Sequence, residues 1–560
     1  MYRKAGFKIQ VKVKNSFSGG IEVRKLIDNQ EHGSPNYQKC WDGRENGFNW
    51  NMSIKDMIRN RMRVCPERIL VKAGQASYTW RDIDKGSSVI AGELCALGAG
   101  YGSHVALCGA NSVNWIMTFF AIHKIGAVAV LLNPQLTPEE ITVRAKLGAI
   151  THLCFGKSPV GDRKQFLNQI VDPERSPIKA VIDVGEEVDF QNRPKTECPD
   201  VQILPDDACV IIFTSGSTGT PKGVMLSAFY LFSSSDCCVQ KLHMTGDDRL
   251  CALLPFFHIF GLTAVLLSSV LCGSLIVLPH SLKPDELMSL LKNEKCTILH
   301  SVPTVLIRLV NAPGFSPEFV SDIRASYLSG APVSESQLRM LMGKFPNNHF
   351  MRRYGLTEMT PISSTGPEDD IDHILNTVGK PVDGTEVRIK DMETGGYCLA
   401  GIQGEIVAKG NNMMCGYLMS AGQQLFDENG FLHTGDLGYL DGEGYLHYTG
   451  RAKEIIVRGG EKIMPNEVAS AISSHENVVD VKVIGVPDEI YGEIVTAAIV
   501  LKEGVTFDGR EMRNFLMTKL ARYKIPAYFF IYDRLPTLAN GKVDAVSLKK
   551  EMSARLTDIG

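Results

Sequence analysis

The stretch Phe213-Thr214-Ser215-Gly216-Ser217-Thr218-Gly219-Thr220-Pro221-Lys222-Gly223 gathers the residue types that hold anions. Its glycines let backbone approach a ligand closely and reach φ > 0. Successive backbone N–H groups in such a loop form a concave anion site. The hydroxyls of Thr214, Ser215, Ser217 and Thr218 and the ammonium of Lys222 add donors of the kind that phosphate oxygens accept. The stretch is not a Walker A loop, because no Gly-Lys-Ser/Thr stands at the required spacing after a glycine. A surface turn rich in glycine and serine would share the composition. The apolar run ahead of the loop and the lysine within it favour phosphate binding.

That loop needs a rigid support, and the chain supplies one. Cys209-Val210-Ile211-Ile212-Phe213 is a continuous apolar run and reads as a buried strand. Val105 to Cys108 and Ala127 to Leu132 read the same way, and Trp115 to Ile125 reads as a helix. Ile54, Met57, Ile58 and Met62 share one helical face. Short apolar runs alternating with helical stretches imply an α/β fold, with parallel-rich sheets flanked by helices. Thr297 to Thr304 reads as a further strand and helix start. Gly404 to Gly410, continuing through Gly416-Tyr417, reads as a small β-rich unit. Beyond residue 450 a separate α+β unit is expected, with strands at Val478 to Val486 and Ile494 to Leu501. Met512, Phe515, Leu516 and Leu520 would form its helical face.

The whole chain narrows the function classes. Its 560 residues suffice for three or four domain-sized units. A net charge of −3 leaves no electrostatic footprint for nucleic acid or an anionic membrane surface. The fourteen cysteines show no Cys-x-x-Cys and no metal-ligand spacing, so free thiols in a reducing cytoplasm are expected. Met1 to Gln10 has no secretory apolar core. Cys251 to His280 carries no Asp, Glu, Lys or Arg and is long enough to span a bilayer. Pro255, His258, Gly261 and Gly273 within it favour a buried strand, loop and helix, so no transmembrane segment is expected. Residues 1–52, rich in Lys, Asn, Gly and Gln, read as an irregular arm.

Thr214 to Gly223 resembles the signature loop of the adenylate-forming superfamily, which includes acyl- and aryl-CoA ligases, peptide-synthetase adenylation domains and firefly luciferase. Further segments similar to that superfamily follow in order: Pro255 to Gly261, Tyr327 to Pro332, Tyr354-Gly355-Leu356-Thr357-Glu358, Thr434-Gly435-Asp436, Gly450 to Ile456, and Leu535 to Val543. The resemblance spans roughly residues 53–550.

It implies a nucleotide site residue by residue. Thr214, Ser215, Gly216, Ser217, Thr218, Gly219 and Lys222 would hold phosphates, and Gly330, Ala331 and Pro332 would lie against adenine. Tyr354, followed by Gly355, would stack on that base. Thr357 would bond the α-phosphate, Glu358 would hold Mg²⁺, and Asp436 would accept both ribose hydroxyls. Arg451 would reach the nucleotide and Lys453 would be the hinge. Gly459 and Gly460 would border a pantetheine tunnel, and Lys542 would be the catalytic lysine of a mobile lid. His258 would gate thiol entry beside the acyl pocket, and Arg353 would line that pocket. The implied domains are 53–450 for adenylation and 451–560 for the lid, after the arm of 1–52.

The implied activity is ATP-dependent, with Mg²⁺ and coenzyme A as cofactors. A carboxylic acid is activated as acyl-AMP, pyrophosphate leaves, and the acyl group passes to CoA. The protein would act as a monomer or homodimer. Three alternatives stay open. A stand-alone adenylation enzyme would load a carrier protein in trans, since only 18 residues follow Lys542. A luciferase-like oxygenase shares the motifs. A non-catalytic AMP-binding module would not need Lys222, Glu358, Asp436 and Lys542 together. Two positions depart from the pattern. Ala228 stands where many relatives have His. Arg353 precedes Tyr354, as an arginine does in malonyl-CoA synthetases, yet the second arginine of those enzymes is absent near Cys272. A dicarboxylic substrate and a solvent-facing or ion-paired Arg353 are both compatible with that. The identity of the acid stays open.

Overall fold

The computed structural model describes residues 50–159, 162–172, 174, 176–185, 190, 197–214, 221–418, 425–538 and 541–557. The chain divides into two units, Met1–Asn49 and Trp50–Gly560, and the description concerns the second. All but the last three residues of the expected arm of 1–52 therefore lie outside the described residues, as do Ser215, Gly216, Ser217, Thr218 and Gly219.

Short apolar runs build the main sheet from β1 (His104–Cys108), β2 (Val128–Leu132), β3 (His152–Phe155), β4 (Ala180–Asp183), β5 (Ala208–Thr214) and β6 (Lys222–Ser227). All five residues of β2 are buried, as expected for a strand covered on both faces. The spatial order is Gly416–Tyr417, β6, β5, β2, β1, β3, β4. The four pairings from β5 to β4 are parallel, whereas β6 runs antiparallel to β5. The hairpin register sets Thr214 opposite Lys222, so the two ends of the glycine-rich stretch face each other. Helices cover the sheet. In α1 (Val113–Lys124) the Ser112 hydroxyl accepts from the Trp115 N–H at 3.0 Å, and in α2 (Ala228–Lys241) Ser227 accepts from Tyr230 at 3.1 Å. Each hydroxyl satisfies one of the donors that a helix start leaves open.

The long apolar stretch folds as the strand, loop and helix expected of it. Strand Arg249–Cys251 leads to helical turns from Ile259 to Cys272, including a π-helical segment at Leu262–Leu267, and then to strand Leu275–Leu278. Among the described residues no helix is long and apolar enough to cross a membrane. Thr297 to Val302 differs from expectation. It makes only isolated bridges at Ile298 and Ser301, because Pro303 opens α3 (Pro303–Val310) before a ladder can form. Beyond it, β7 (Ala325–Leu328), α4 (Glu335–Lys344) and β8 (His349–Tyr354) follow, with β7 and β8 parallel.

The β-rich unit comprises β9 (Thr385–Lys390), β10 (Gly404–Gly410), β11 (Leu432–Leu440) and β12 (Leu446–Arg451), all antiparallel neighbours. Gly416-Tyr417 corrects the sequence reading. It leaves this unit and pairs with β6 at the edge of the main sheet. The C-terminal unit is a five-stranded sheet of β13 (Ile456–Arg458), β14 (Glu461–Ile463), β15 (Val478–Asp488), β16 (Gly492–Leu501) and β17 (Tyr528–Ile531). Helices α5 (Pro465–Ser473), α6 (Gly509–Met517) and α7 (Ala545–Thr557) accompany it. Met512 and Leu516 are buried in a core of its own with Val468, Ile472, Val483 and Val495, and Phe515 and Leu520 pack against it. The described cysteines are all free thiols.

Candidate active site

Three strands bring distant side chains together. Tyr354 ends β8, and its hydroxyl donates to Asp436 Oδ2 at 2.8 Å. Asp436, only 1 % exposed, lies on β11 opposite Arg451 of β12. Arg451 Nε comes within 2.9 Å of Asp436 Oδ1, yet no N–H is aligned on that oxygen, which accepts no hydrogen bond. Burial pushes the Asp436 carboxyl up, and the Arg451 charge and the Tyr354 hydroxyl offset part of that. A buried carboxylate oxygen without a donor is suited to a hydroxyl-bearing ligand.

The turn after β8 carries the next groups. A Cβ on Gly355 would lie 2.6 Å from Thr360 Oγ1, so the turn requires glycine there. The Thr357 carbonyl accepts from the Tyr230 hydroxyl at 3.0 Å, and the Glu358 carbonyl accepts from Met414 N–H at 2.8 Å. Tyr417, which sequence reasoning did not single out, donates its hydroxyl to Glu358 Oε1 at 2.6 Å. The Lys222 ammonium lies 5.2 Å from the centre of the same ring. Thr214, Lys222 and Glu358 thus border one region. Among the described residues no cluster of three His, Cys, Asp or Glu could hold a metal by itself. A lone carboxylate nevertheless fits Mg²⁺, which keeps waters and takes its other oxygens from phosphates.

Lys542 arrives from the C-terminal unit. The Leu538 N–H donates to the Lys542 carbonyl at 2.7 Å and Gly541 N–H to Leu538 at 2.9 Å, closing a turn between Thr537 and Val543. The Gly541 carbonyl accepts from Thr304 Oγ1 at 2.6 Å, which seats the loop on the start of α3. Lys542 then lies along Gly330, whose φ is +84°. A Cβ at Gly330 would meet Lys542 Cε at 3.3 Å and Nζ at 3.9 Å. Ala331 and Pro332 continue that turn, half-buried and exposed respectively. Burial and the Arg451 charge pull the Lys542 ammonium below its usual range, with Asp436 opposing. His258 accepts from the Phe260 N–H at 3.2 Å through Nδ1, and burial together with Lys542 lowers its pKa to about 3. His258 is therefore neutral.

Arg353 is neither solvent-facing nor ion-paired. It is 4 % exposed, and only Nη2 is engaged, donating to Ser234 Oγ at 3.3 Å. Its guanidinium carbon is 5.8 Å from the ring centres of both Phe260 and Tyr327. Nε and Nη1 have no hydrogen-bond partner among the described residues. Burial and the Arg353 charge lower nearby His300 to about 3. Lys453 and the Gly459-Gly460 pair stand elsewhere. Lys453 is exposed in the short turn Ala452–Glu454. Gly459 and Gly460, at φ +57° and +90°, form the β13–β14 turn, where Gly459 N–H donates to the Tyr491 carbonyl at 2.8 Å.

The AMP-binding enzyme profile matches residues 58–418, and the profile of the AMP-binding enzyme C-terminal domain matches 467–542. The chain belongs to the AMP-binding enzyme family. A putative acyl-CoA synthetase, YngI of Bacillus subtilis, is 30% identical over 504 residues, covering 85% of this chain and 92% of its own. ATP-bound MatB from Rhodopseudomonas palustris superposes with a TM-score of 0.81 at 26% identity, over 90% of this chain and 99% of that one. The o-succinylbenzoate coenzyme A synthetase of Bacillus subtilis, in complex with ATP and magnesium ion, gives 0.74 at 30% identity, over 88% and 98%. This AMP-binding enzyme is an ATP-dependent acid–CoA ligase that works through acyl-AMP with ATP, Mg²⁺ and CoA.

Proposed function

We propose that residues 53–450 bind the nucleotide and the acid, and that residues 451–560 are a lid pivoting at Lys453. In the first step a carboxylate oxygen attacks the α-phosphorus of ATP, and the bond to pyrophosphate breaks. In the second a CoA sulfur attacks the acyl carbon, and AMP leaves as the thioester forms. Little covalent work falls to the protein, so positioning and charge stabilisation dominate. Thr214, Lys222 and Thr357 bind the phosphates, and the glycine-rich residues Ser215 to Gly219 are assigned the same role. Tyr354, with Gly330, Ala331 and Pro332 opposite, takes the base, while Asp436 takes ribose hydroxyls and Arg451 steadies Asp436. Glu358 would hold Mg²⁺, which supplies neutralising charge to the phosphates. Lys542 stabilises the oxygens whose charge grows in the first step, inside a poorly hydrated pocket where each interaction is stronger. His258, being neutral, stands at the thiol entrance without repelling a cationic neighbour. Gly459 and Gly460 reach the site when the lid turns for the second step.

The observation that most supports this is the docking of Lys542 against Gly330 beside Arg451 and Asp436. Lys542→Ala should lower ATP–pyrophosphate exchange by about a thousandfold, the scale of removing one key charge-stabilising donor. Thioester formation from supplied acyl-AMP should survive. Loss of both half-reactions to the same degree would refute the assignment. For the acid, the buried Arg353 favours one that carries a second anionic or strongly accepting group, since a buried cation left unpaired is costly. We place the enzyme in the cytoplasm, where its free cysteines stay reduced.

A further inference from the structure

We propose that Tyr417 is a positioning residue for both charges of the phosphate region: its hydroxyl fixes the Glu358 carboxylate, and its ring seats the Lys222 ammonium. The inference rests on reading Glu358 as the carboxylate that faces the metal. Tyr417 belongs to a short segment fastened on two sides. On one side Gly416 and Tyr417 pair with Met225 and Val224 of β6, and Cys415 N–H and Leu418 N–H donate to the carbonyls of Met225 and Gly223 at 2.8 and 2.7 Å. On the other, Met413 bridges Met359, and Met414 N–H donates to the Glu358 carbonyl at 2.8 Å. The segment therefore joins the strand that begins at Lys222 to the turn that carries Glu358, 59 residues from Tyr417. The phenol has one proton to give, and it goes to Glu358 Oε1 at 2.6 Å. That bond selects one carboxylate orientation and leaves Oε2 to face a ligand. An ordinary phenol keeps its proton near neutral pH, so Tyr417 is a donor there. The ring face, 5.2 Å from Lys222 Nζ, attracts the cation without neutralising it.

The test compares Tyr417→Phe, Tyr417→Leu and Glu358→Gln in the full-length enzyme. Mn²⁺ affinity is read by electron paramagnetic resonance in the presence of a non-hydrolysable ATP analogue, alongside melting temperature, kcat and the KM for ATP. Tyr417→Phe keeps the ring and should melt like wild type. It should bind Mn²⁺ about 10- to 100-fold more weakly, as when a residue supporting a metal ligand is lost, and its kcat should fall with little change in the KM for ATP. Tyr417→Leu should raise that KM as well. Tyr417→Phe with wild-type Mn²⁺ affinity would overturn the proposal, whatever its melting temperature. If Glu358→Gln also leaves Mn²⁺ affinity unchanged, the metal role of Glu358 fails. If only Glu358→Gln weakens it, the role of Tyr417 alone fails.

Discussion

The seam between the two lobes contains a titratable group whose effect on the lid can be worked out. Asp480 lies on β15 near Gln337 of α4 and Arg308 of α3. Around it, Gln337 donates to the Val479 carbonyl at 3.3 Å and Ser336 to the Ser473 carbonyl at 2.9 Å. These bonds hold the arrangement in which Lys542 is docked. Burial raises the Asp480 carboxyl from 3.8 to about 6, and the Val481 N–H, Gln337 and Arg308 offset only part of that. A raised pKa favours the protonated form in this arrangement. A lid turned away exposes Asp480 to water and restores its ordinary value. The docked arrangement is therefore favoured fully below pH 3.8 and loses that advantage as pH rises through about 6. Two pKa units amount to ~3 kcal/mol, an upper bound that water in the seam reduces to roughly 1–2 kcal/mol, or 5- to 30-fold. Asp480→Asn removes the titration while keeping an amide of the same shape. The ratio of pyrophosphate exchange to single-turnover thiol transfer, measured from pH 4 to 8.5, should rise about 5- to 30-fold over wild type at the alkaline end and fall towards the wild-type value as pH approaches 4. Dividing by wild type removes the pH dependence of the CoA thiol itself. A variant-to-wild-type ratio that stays flat across the range would refute the reasoning.

Two further outcomes follow from buried groups. Arg353→Met should raise the melting temperature or leave it unchanged, because replacing a buried unpaired charge with an apolar side chain is neutral or stabilising by ~1–4 kcal/mol. The same variant should lose activity on diacids far more than on the matching monoacids in a thioester-formation screen, and equal losses would refute the role of Arg353 in acid selection. Gly330→Ala places a side chain at φ +84° with Lys542 Cε and Val302 Cγ1 both 3.3 Å away. A strain of ~1–3 kcal/mol should slow pyrophosphate exchange at least fivefold, and an unchanged exchange rate would show that Lys542 does not need this close approach.

Much of the main sheet was legible because its strands are buried apolar runs, as in β2 and β5. The Tyr354 to Glu358 string was also legible, since its chemistry is local. Contacts between distant segments were not. Gly416-Tyr417 followed a β-rich stretch in sequence, and a two-residue strand has no period from which to read its partner. Tyr417 therefore went unnoticed, although its hydroxyl reaches Glu358. Arg353 left two readings open because β8 is buried on most of its length, which no alternation of His349, Phe350, Met351 and Arg352 announces. Asp480 sits in an ordinary strand pattern, and it is burial in the folded chain that raises its carboxyl.

The C-terminal lobe closes its own oily interior with Val468, Ile472, Val495 and Leu516, so a lid of this kind would travel as a sealed cassette. Of the side chains in that lobe, Val479 is one that leans on the larger lobe's core. On the proposed lid motion this interior would stay closed, while hydrogen bonds across the seam, such as that of Thr304 with the Gly541 carbonyl, would be exchanged for water. Two such positions can lie close in free energy, which suits a catalyst that must visit each once per turnover.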